Sequence, residues 1–230
     1  MRARQAGRVR LGRGVAGLMI LPWLALASPA AAQELRLADG RTAVPAGIVP
    51  LGPIEAGPWE LRDPGEVRLD RHGRVRAQLR AADGGWLQAR LVEDGLAMVA
   101  PAGDVSAAAL DELLRRERAA RLAGRGRWAG HDLGPWPAEA VSAPLGSFVL
   151  VRGTVQGVTR RQEHAYLDFG TDWRRDFTVR CETSRLKDLA AAGLDVAGLA
   201  GKRILVRGWL FENAGPMMEL VHPLQVEVEE

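Results

Sequence analysis

The stretch AGHDLGPWPAEAVSAPLG, residues 129 to 146, constrains the fold of this chain more than any other segment. It holds three prolines and three glycines among small residues. Proline fixes φ and removes a backbone donor, and glycine weakens any regular element, so neither a long helix nor a central strand runs through such a stretch. It reads as a linker between two folding units, one at 33–128 and one at 147–230. The length of the chain suits one large domain or two small ones, and this break favours two.

Residues 1–32 stand apart from both units. Five arginines (Arg2, Arg4, Arg8, Arg10, Arg13) precede an apolar run from Val15 to Ala27, and Ser28-Pro29-Ala30-Ala31-Ala32 closes it with small residues. A cationic start, a short apolar centre and an A-x-A end make a secretory signal peptide. The apolar run falls well short of the roughly 20 residues that a spanning helix needs. The expected mature chain therefore begins near Gln33 and is periplasmic or secreted, without stable membrane insertion. The other reading of the same features is an uncleaved anchor.

Charge follows from that cleavage. The whole chain has 31 basic and 28 acidic residues, a net +3. The first 32 residues carry five of the arginines and no acid, so the remainder is slightly acidic. A polyanion gains nothing from such a global balance, and any case for nucleic acid rests on local patches. The hydrophobic fraction of 47% supports a real core. Cys181 is the single cysteine, so no intrachain disulfide and no cysteine-based metal site is possible. His72, His131, His164 and His222 are scattered without ligand spacing.

In the first unit, ELRLADGRTAVPAGIV reads as a hairpin turning at Asp39-Gly40, with Leu35 and Leu37 alternating with polar residues. GEVRLDRHGRVRAQLRA reads as a second hairpin, with Val67 and Leu69 on one side and Val75, Ala77 and Leu79 on the other. Helical spacing then runs from Trp86 through Val92 to a stop at Gly95. A longer helix follows over Ser106 to Leu122, with Ser106 as N-cap and Leu110, Leu113, Leu114 and Ala120 as its apolar stripe. The second unit reads as strands GSFVLVRGTVQGV, HAYLDFG and RDFTVRC, a short helix Ser184 to Ala192, then strands KRILVRGWLFE and PMMELVHPLQVEV. Three strands, a helix and two strands, with Gly153 and Gly208 inside strands to permit bends, suit an oligonucleotide/oligosaccharide-binding (OB) type Greek-key barrel.

Residues 70–128 resemble the staphylococcal nuclease-like (thermonuclease) family. The resemblance is carried by DRHGRVRAQL, GGWLQARLVEDGLAMVAP and LLRRERAARLAGRGRWA, in family order and spacing. YLDFGTDWRRDFTV and LAGKRILVRGWLFENAGPMMELVHP in the second unit are similar to a tail behind such domains in some exported bacterial members. The expected fold is mainly β with α (α+β). It comprises two OB-like five-stranded barrels, the first with two packed helices and the second with one short helix.

The resemblance implies phosphodiester hydrolysis, in which carboxylates hold calcium, a glutamate activates water and two arginines neutralise charge on phosphorus. Such chemistry needs several charges converging on one phosphate. Arg74 falls on one family arginine. The stretch that carries the other reads AVPAGIVPLGPIE here, placing Val44 at the arginine position and Val49 at a metal-binding aspartate. Glu55 stands in for the general base only if this loop is realigned. The family's first Asp-Gly-Asp-Thr strand has no counterpart, since Asp39-Gly40-Arg41-Thr42 belongs to the later hairpin. Valine binds neither calcium nor phosphate, and losing one oxyanion donor alone costs on the order of 3–4 kcal/mol of barrier. Arg74 then reads as a turn residue bonding local carbonyls or pairing with Asp70, against its alternative as a phosphate ligand.

The resulting expectation is an exported thermonuclease-like protein without hydrolytic activity and without a cofactor or metal. It would act as a binding or structural module for nucleic acid, another polyanion or a periplasmic protein. The alternative is an active calcium-dependent nuclease cleaving DNA or RNA through Glu55 and Arg74 with Asp39 or Asp63.

Two further patches bear on a ligand. Arg115, Arg116, Arg118, Arg121, Arg125 and Arg127 surround Glu117 near a helix end, either as a phosphate track or as a solvated face suited to a helix C-terminus. Tyr166, Phe169, Trp173 and Phe177 interleave with Arg160, Arg161, Arg174 and Arg175, the ingredients of a surface that stacks single-stranded bases. The candidate binding set is Arg74, Arg160, Arg161, Tyr166, Trp173, Arg174 and Arg175. Period-two alternation puts Phe177 and Val179 in the core and leaves Thr178 exposed. Asp168, Asp172 and Asp176 recur every fourth residue, which would matter only on a helix, so no metal cluster is expected there. Trp59, Trp86, Trp128, Trp136, Trp209 and Met217-Met218 read as packing residues.

Overall fold

The computed structural model describes residues 33–63, 67–130, 133–172 and 174–229. Residues 1–32, where the sequence leads one to expect a signal peptide, and Trp173 lie outside the described residues. Strands and helices are mixed, as the α+β expectation has it.

The first unit opens with a hairpin of β1 (Leu35–Arg36) and β2 (Thr42–Pro45), after which Gly47 turns the chain into β3 (Ile48–Pro50). The strands β4 (Glu60–Leu61), β5 (Arg68–Leu69), β6 (Val75–Ala77) and β7 (Leu79–Arg80) follow. One sheet runs β1-β2-β6-β5, its β2–β6 pair parallel. The β5–β6 pair is the expected second hairpin, but Leu69 does not join the core. It pairs with Val75 in register and is 66% exposed, whereas Val67 packs against the cluster of Leu35, Val75 and Leu79. At the sheet edge nothing covers Leu69, and alternation alone does not supply a cover.

Helix α1 (Leu87–Glu93) leads through Gly95 into β8 (Ala97–Val99), which pairs with β3. Helix α2 (Ala107–Leu122) starts at Ser106, whose hydroxyl accepts from the Ala109 N–H. Gly95 and Gly126, both at positive φ, lock the two helix ends together. A Cβ on Gly95 would overlap the Arg125 carbonyl and one on Gly126 the Asp94 carbonyl, while the Arg127 N–H donates to the Gly95 carbonyl. Backbone contact therefore accounts for the glycines at 95 and 126.

The α2 stripe buries Leu110, Leu113 and Ala120, and Leu114 partly, as its spacing requires. It also buries Glu117 completely. One Glu117 oxygen accepts the Val99 N–H at 2.7 Å and the other takes Arg207, which also donates to the Val99 carbonyl. Around this pair, Met98, Ala120 and Trp128 of the first unit pack with Phe148, Leu150 and Leu205 of the second.

The stretch after Trp128 carries β9 (Trp136–Pro137), a single turn of tighter helix, and the buried Leu133, Ala138 and Ala143. It lies along β10 (Phe148–Thr154), which continues as β11 (Gly157–Arg160), β12 (His164–Asp168) and β13 (Thr178–Glu182). Helix α3 (Leu186–Ala191) buries Leu189 and ends before Gly193. Then come β14 (Arg203–Trp209), β15 (Phe211–Glu212), β16 (Pro216–Glu219) and β17 (Val226–Glu229). The sheets run β17-β14-β10-β9 and β11-β12-β13-β16-β15. The final strand expected from PMMELVHPLQVEV is two strands. Pro223 interrupts it, and His222 and Gln225 cap a helical turn there.

Gly153 serves close packing, since a Cβ there would lie 2.6 Å from the Ala138 Cβ and 2.8 Å from the Phe169 ring. The core between the sheets holds Leu167, Phe177, Val179, Cys181 and Met218. Burial pushes the Cys181 thiol up to about 11.

Candidate functional site

Arg74 sits in the turn between β5 and β6, where Gly73 supplies the positive φ. Asp70 organises that turn. Its Oδ1 accepts the His72 and Arg74 N–H groups at 2.8 and 3.0 Å, and its Oδ2 accepts Arg74 Nε at 2.7 Å and Nη2 at 2.6 Å. Partial burial opposes the charge on Asp70. The Arg74 guanidinium and the two backbone donors outweigh it and hold the carboxyl down at about 2, from 3.8. Glu34 adds an ion pair to Arg74 Nη1 at 3.3 Å. The carboxylates around this arginine thus act as its hydrogen-bond acceptors.

Val44 is buried on β2 opposite Arg76, and Arg76 itself pairs with Asp104 at 2.6 Å. Val49 packs against the cluster at the junction of the two units. Glu55 is exposed in the irregular stretch after β3. Asp39 is taken by Arg41 within the first hairpin. Among the described residues, no three His, Cys, Asp or Glu side chains gather as a metal-holding group. The residues present do not fit the calcium that the family resemblance implies.

The arginines of α2 and of the turn after it are largely committed to acids. Arg115 and Arg116 pair with Glu112, Arg116 and Arg125 with Glu93, and Arg118 with Glu227. Arg121 is half-buried, and desolvation lowers its pKa. Most of this patch is thus engaged with neighbouring carboxylates.

The second unit presents a different surface. Alternation along β11, β12 and β13 sends Val158, Leu167, Phe177 and Val179 inward, and sends Thr159, Tyr166, Asp168 and Thr178 to the opposite face. There they line a cleft of 360 Å³, completed by Arg161, Asn213 and Met217. That volume lies in the range of small-ligand sites, about 300–1,000 Å³. Thr178 (3% exposed) and Met217 (5%) form its floor, and the exposed Arg161 and Asn213 stand at its rim. Thr178 takes the face that alternation assigns it, but neighbouring strands cover it, so the exposure expected for it is not found. Met217 likewise faces the cleft, while Met218 fills the core.

Asp168 is the charged group inside the cleft. Its register partner on β13 is Thr178, and its Oδ2 accepts the Thr159 hydroxyl at 3.1 Å. Desolvation raises its pKa, opposed by the Thr159 hydrogen bond and the Arg161 charge. Asp172 and Asp176 have a separate task. Asp176 accepts the Asp172 N–H and Asp172 the Arg174 N–H, closing the turn that leads into β13.

Of the binding set, Arg161 and Tyr166 meet in the cleft. The Arg174 backbone and the Asp176 carbonyl lie beside Gly215, in the turn that carries Asn213, which brings these residues to the same end. Arg175 between them is exposed. Arg160 is displaced from the set, because on β11 it takes the opposite side from Thr159 and Arg161. Arg74 belongs to the other unit. Phe169 and Phe177 pack against each other in the core with tilted rings, centroids 5.1 Å apart. Thr159, Asp168, Thr178, Asn213 and Met217 were not among the expected ligand residues. The signal was the polar residue at every second position of HAYLD. The turn beyond β15 carries the left-handed Ala214 (φ 57°), a conformation that costs a non-glycine residue about 1–2 kcal/mol.

A scan against protein-family models gives no match, and a search of curated proteins finds no relative.

Proposed function

We propose that this chain is an exported, thermonuclease-like binding module whose first unit no longer hydrolyses phosphodiesters and whose second unit engages single-stranded nucleic acid. The observation that carries the first half is the Asp70–Arg74 pair. A guanidinium whose Nε and Nη2 both donate to one carboxylate oxygen of its own turn, with valines at the positions of its former partners, lacks the converging charges that phosphoryl chemistry requires. The second half rests on the cleft at Asp168 and the arginines and tyrosine beside it.

The strand pairing supports OB-like barrels. In the second unit β10 pairs with β14, β11 with β12, β12 with β13, β13 with β16 and β16 with β15. Because β10 runs into β11 across two residues and β14 into β15 across one, this order favours a closed five-stranded Greek key. The shorter pairs β2–β6, β3–β8 and β4–β7 extend the same reading to the first unit, the two units meeting near residues 129–146. Export rests on the pattern of residues 1–32. No helix among the described residues is long and apolar enough to cross a membrane.

The test uses residues 33–230 with calcium and labelled single-stranded DNA, scored for cleavage and for retention. Retention that weakens with salt, without cleavage, is the expected result. Cleavage lost in Arg74→Ala would establish an active nuclease instead. Failure to retain any strand would transfer the function to a different polyanion or to a protein partner.

A further inference from the structure

The cleft is selective in its chemistry. Its interior offers a carboxylate, two hydroxyls and a tyrosine ring, while cationic groups stand only at its rim. A phosphate placed against Asp168 meets like charge in a partly desolvated site, which is unfavourable. A group that donates hydrogen bonds is favoured there. Asp168 Oδ2 accepts the Thr159 hydroxyl, and the carboxylate has acceptor sites left for a ligand's donor. Tyr166 lines the cleft beside His164, ring centroids 6.0 Å apart, and offers the apolar ring that a flat heterocycle needs. Arg161 at the rim and the Arg174–Arg175 turn beyond Asn213 suit the flanking phosphates.

We infer that this cleft takes one amino-bearing base of a single strand, cytosine in preference to thymine, with Asp168 accepting from the exocyclic amine and Tyr166 stacking on the ring. Cytosine and thymine share the pyrimidine ring and the backbone and differ at C4, thymine also carrying a C5 methyl. Cytosine presents an amine, whereas thymine presents a carbonyl oxygen that a carboxylate repels. The inference rests on the proposed single-strand function and adds the base that the site selects.

Short oligo(dC) and oligo(dT) of equal length separate the two statements, titrated against residues 33–230 at one low salt concentration. The expected result is about tenfold tighter binding of oligo(dC), the discrimination that one good polar base contact supplies. In Asp168→Asn the preference falls below about twofold while oligo(dT) affinity is kept, because the amide also offers a donor. Tyr166→Ala weakens both strands together. Circular dichroism of each variant checks that the sheet is intact, and Thr159→Val provides a second perturbation of Asp168 should Asp168→Asn not fold. Equal binding of oligo(dC) and oligo(dT) by the wild-type chain overturns the inference and leaves the single-strand function standing. Binding of neither strand overturns both, as would selective capture of a neutral glycan by the same cleft.

Discussion

Glu117 of α2 and Arg207 of β14 form an ion pair with side chains only 1% and 3% exposed, joining the two units at their shared apolar cluster. Two charges removed from water are tolerated because every contact is reciprocated. Glu117 takes the Val99 N–H, Arg207 donates to the Val99 carbonyl, and the Arg207 carbonyl accepts from Gln225. Such a pair is weak evidence for net stability but strongly resists loss of one partner. Glu117→Gln keeps an acceptor for Val99 and leaves the guanidinium buried without a counter-charge. Urea unfolding should show a loss of about 3–5 kcal/mol. Adding Arg207→Met should restore a large share of it. A single-mutant loss under about 1 kcal/mol would mean that water reaches the pair.

The Asp70–Arg74 pair gives an acid signature. The carboxyl titrates near 2 in the folded chain and at 3.8 when unfolded, so folding favours its charged form. That contribution is complete above the unfolded value and disappears as pH falls through the folded one. The urea midpoint of the wild type should therefore drop more steeply between about pH 5 and pH 2 than that of Asp70→Asn. Parallel curves would refute the tight pairing of Arg74 with its turn.

Two glycines after α2 separate backbone conformation from packing. Gly124 (φ 61°) has open space where a Cβ would go, whereas a Cβ on Gly126 (φ 53°) would strike the Asp94 carbonyl. Gly124→Ala should cost about 1 kcal/mol, the left-handed penalty alone. Gly126→Ala should cost more than about 2 kcal/mol, because the loop after α1 must also move. Thermal unfolding of the two variants side by side measures the difference.

The helices and hairpins were legible because their causes are local. Ser106 caps α2 through its own side chain, and Gly73 and Gly95 turn the chain through their own φ angles. What stayed hidden depends on neighbours distant in sequence. Nothing near Glu117 announces Arg207, ninety residues further on. Leu69 obeys its alternation and still faces water, since cover is a tertiary property. Thr178 takes its face and is buried for the same reason. The cleft was half legible. Its tyrosine and Arg161 stand out in the text, but Asp168 gains meaning only when β11 and β13 flank it with Thr159 and Thr178. Arg160 looks equivalent to Arg161 in sequence, and the strand pleat separates them.

Asp168 should also mark a conflict between stability and function. Desolvation raises its pKa, so folding favours the neutral carboxyl. A group of this kind stabilises most below its unfolded pKa, and the benefit is lost as pH rises through the folded one. At neutral pH the ionised group is then a liability to the fold, and on the proposed single-strand reading it is the acceptor for the ligand. Asp168→Asn removes the charge while keeping the shape and an oxygen within reach of Thr159. It should raise the urea midpoint at pH 7 above that of the wild type, and the gain should vanish as the pH is taken well below 3.8, where the wild-type carboxyl becomes neutral in both states. Binding should move the opposite way in the same protein, with the oligo(dC) preference lost as stability rises. A variant that loses both stability and selectivity would show instead that Asp168 is a structural acceptor for Thr159.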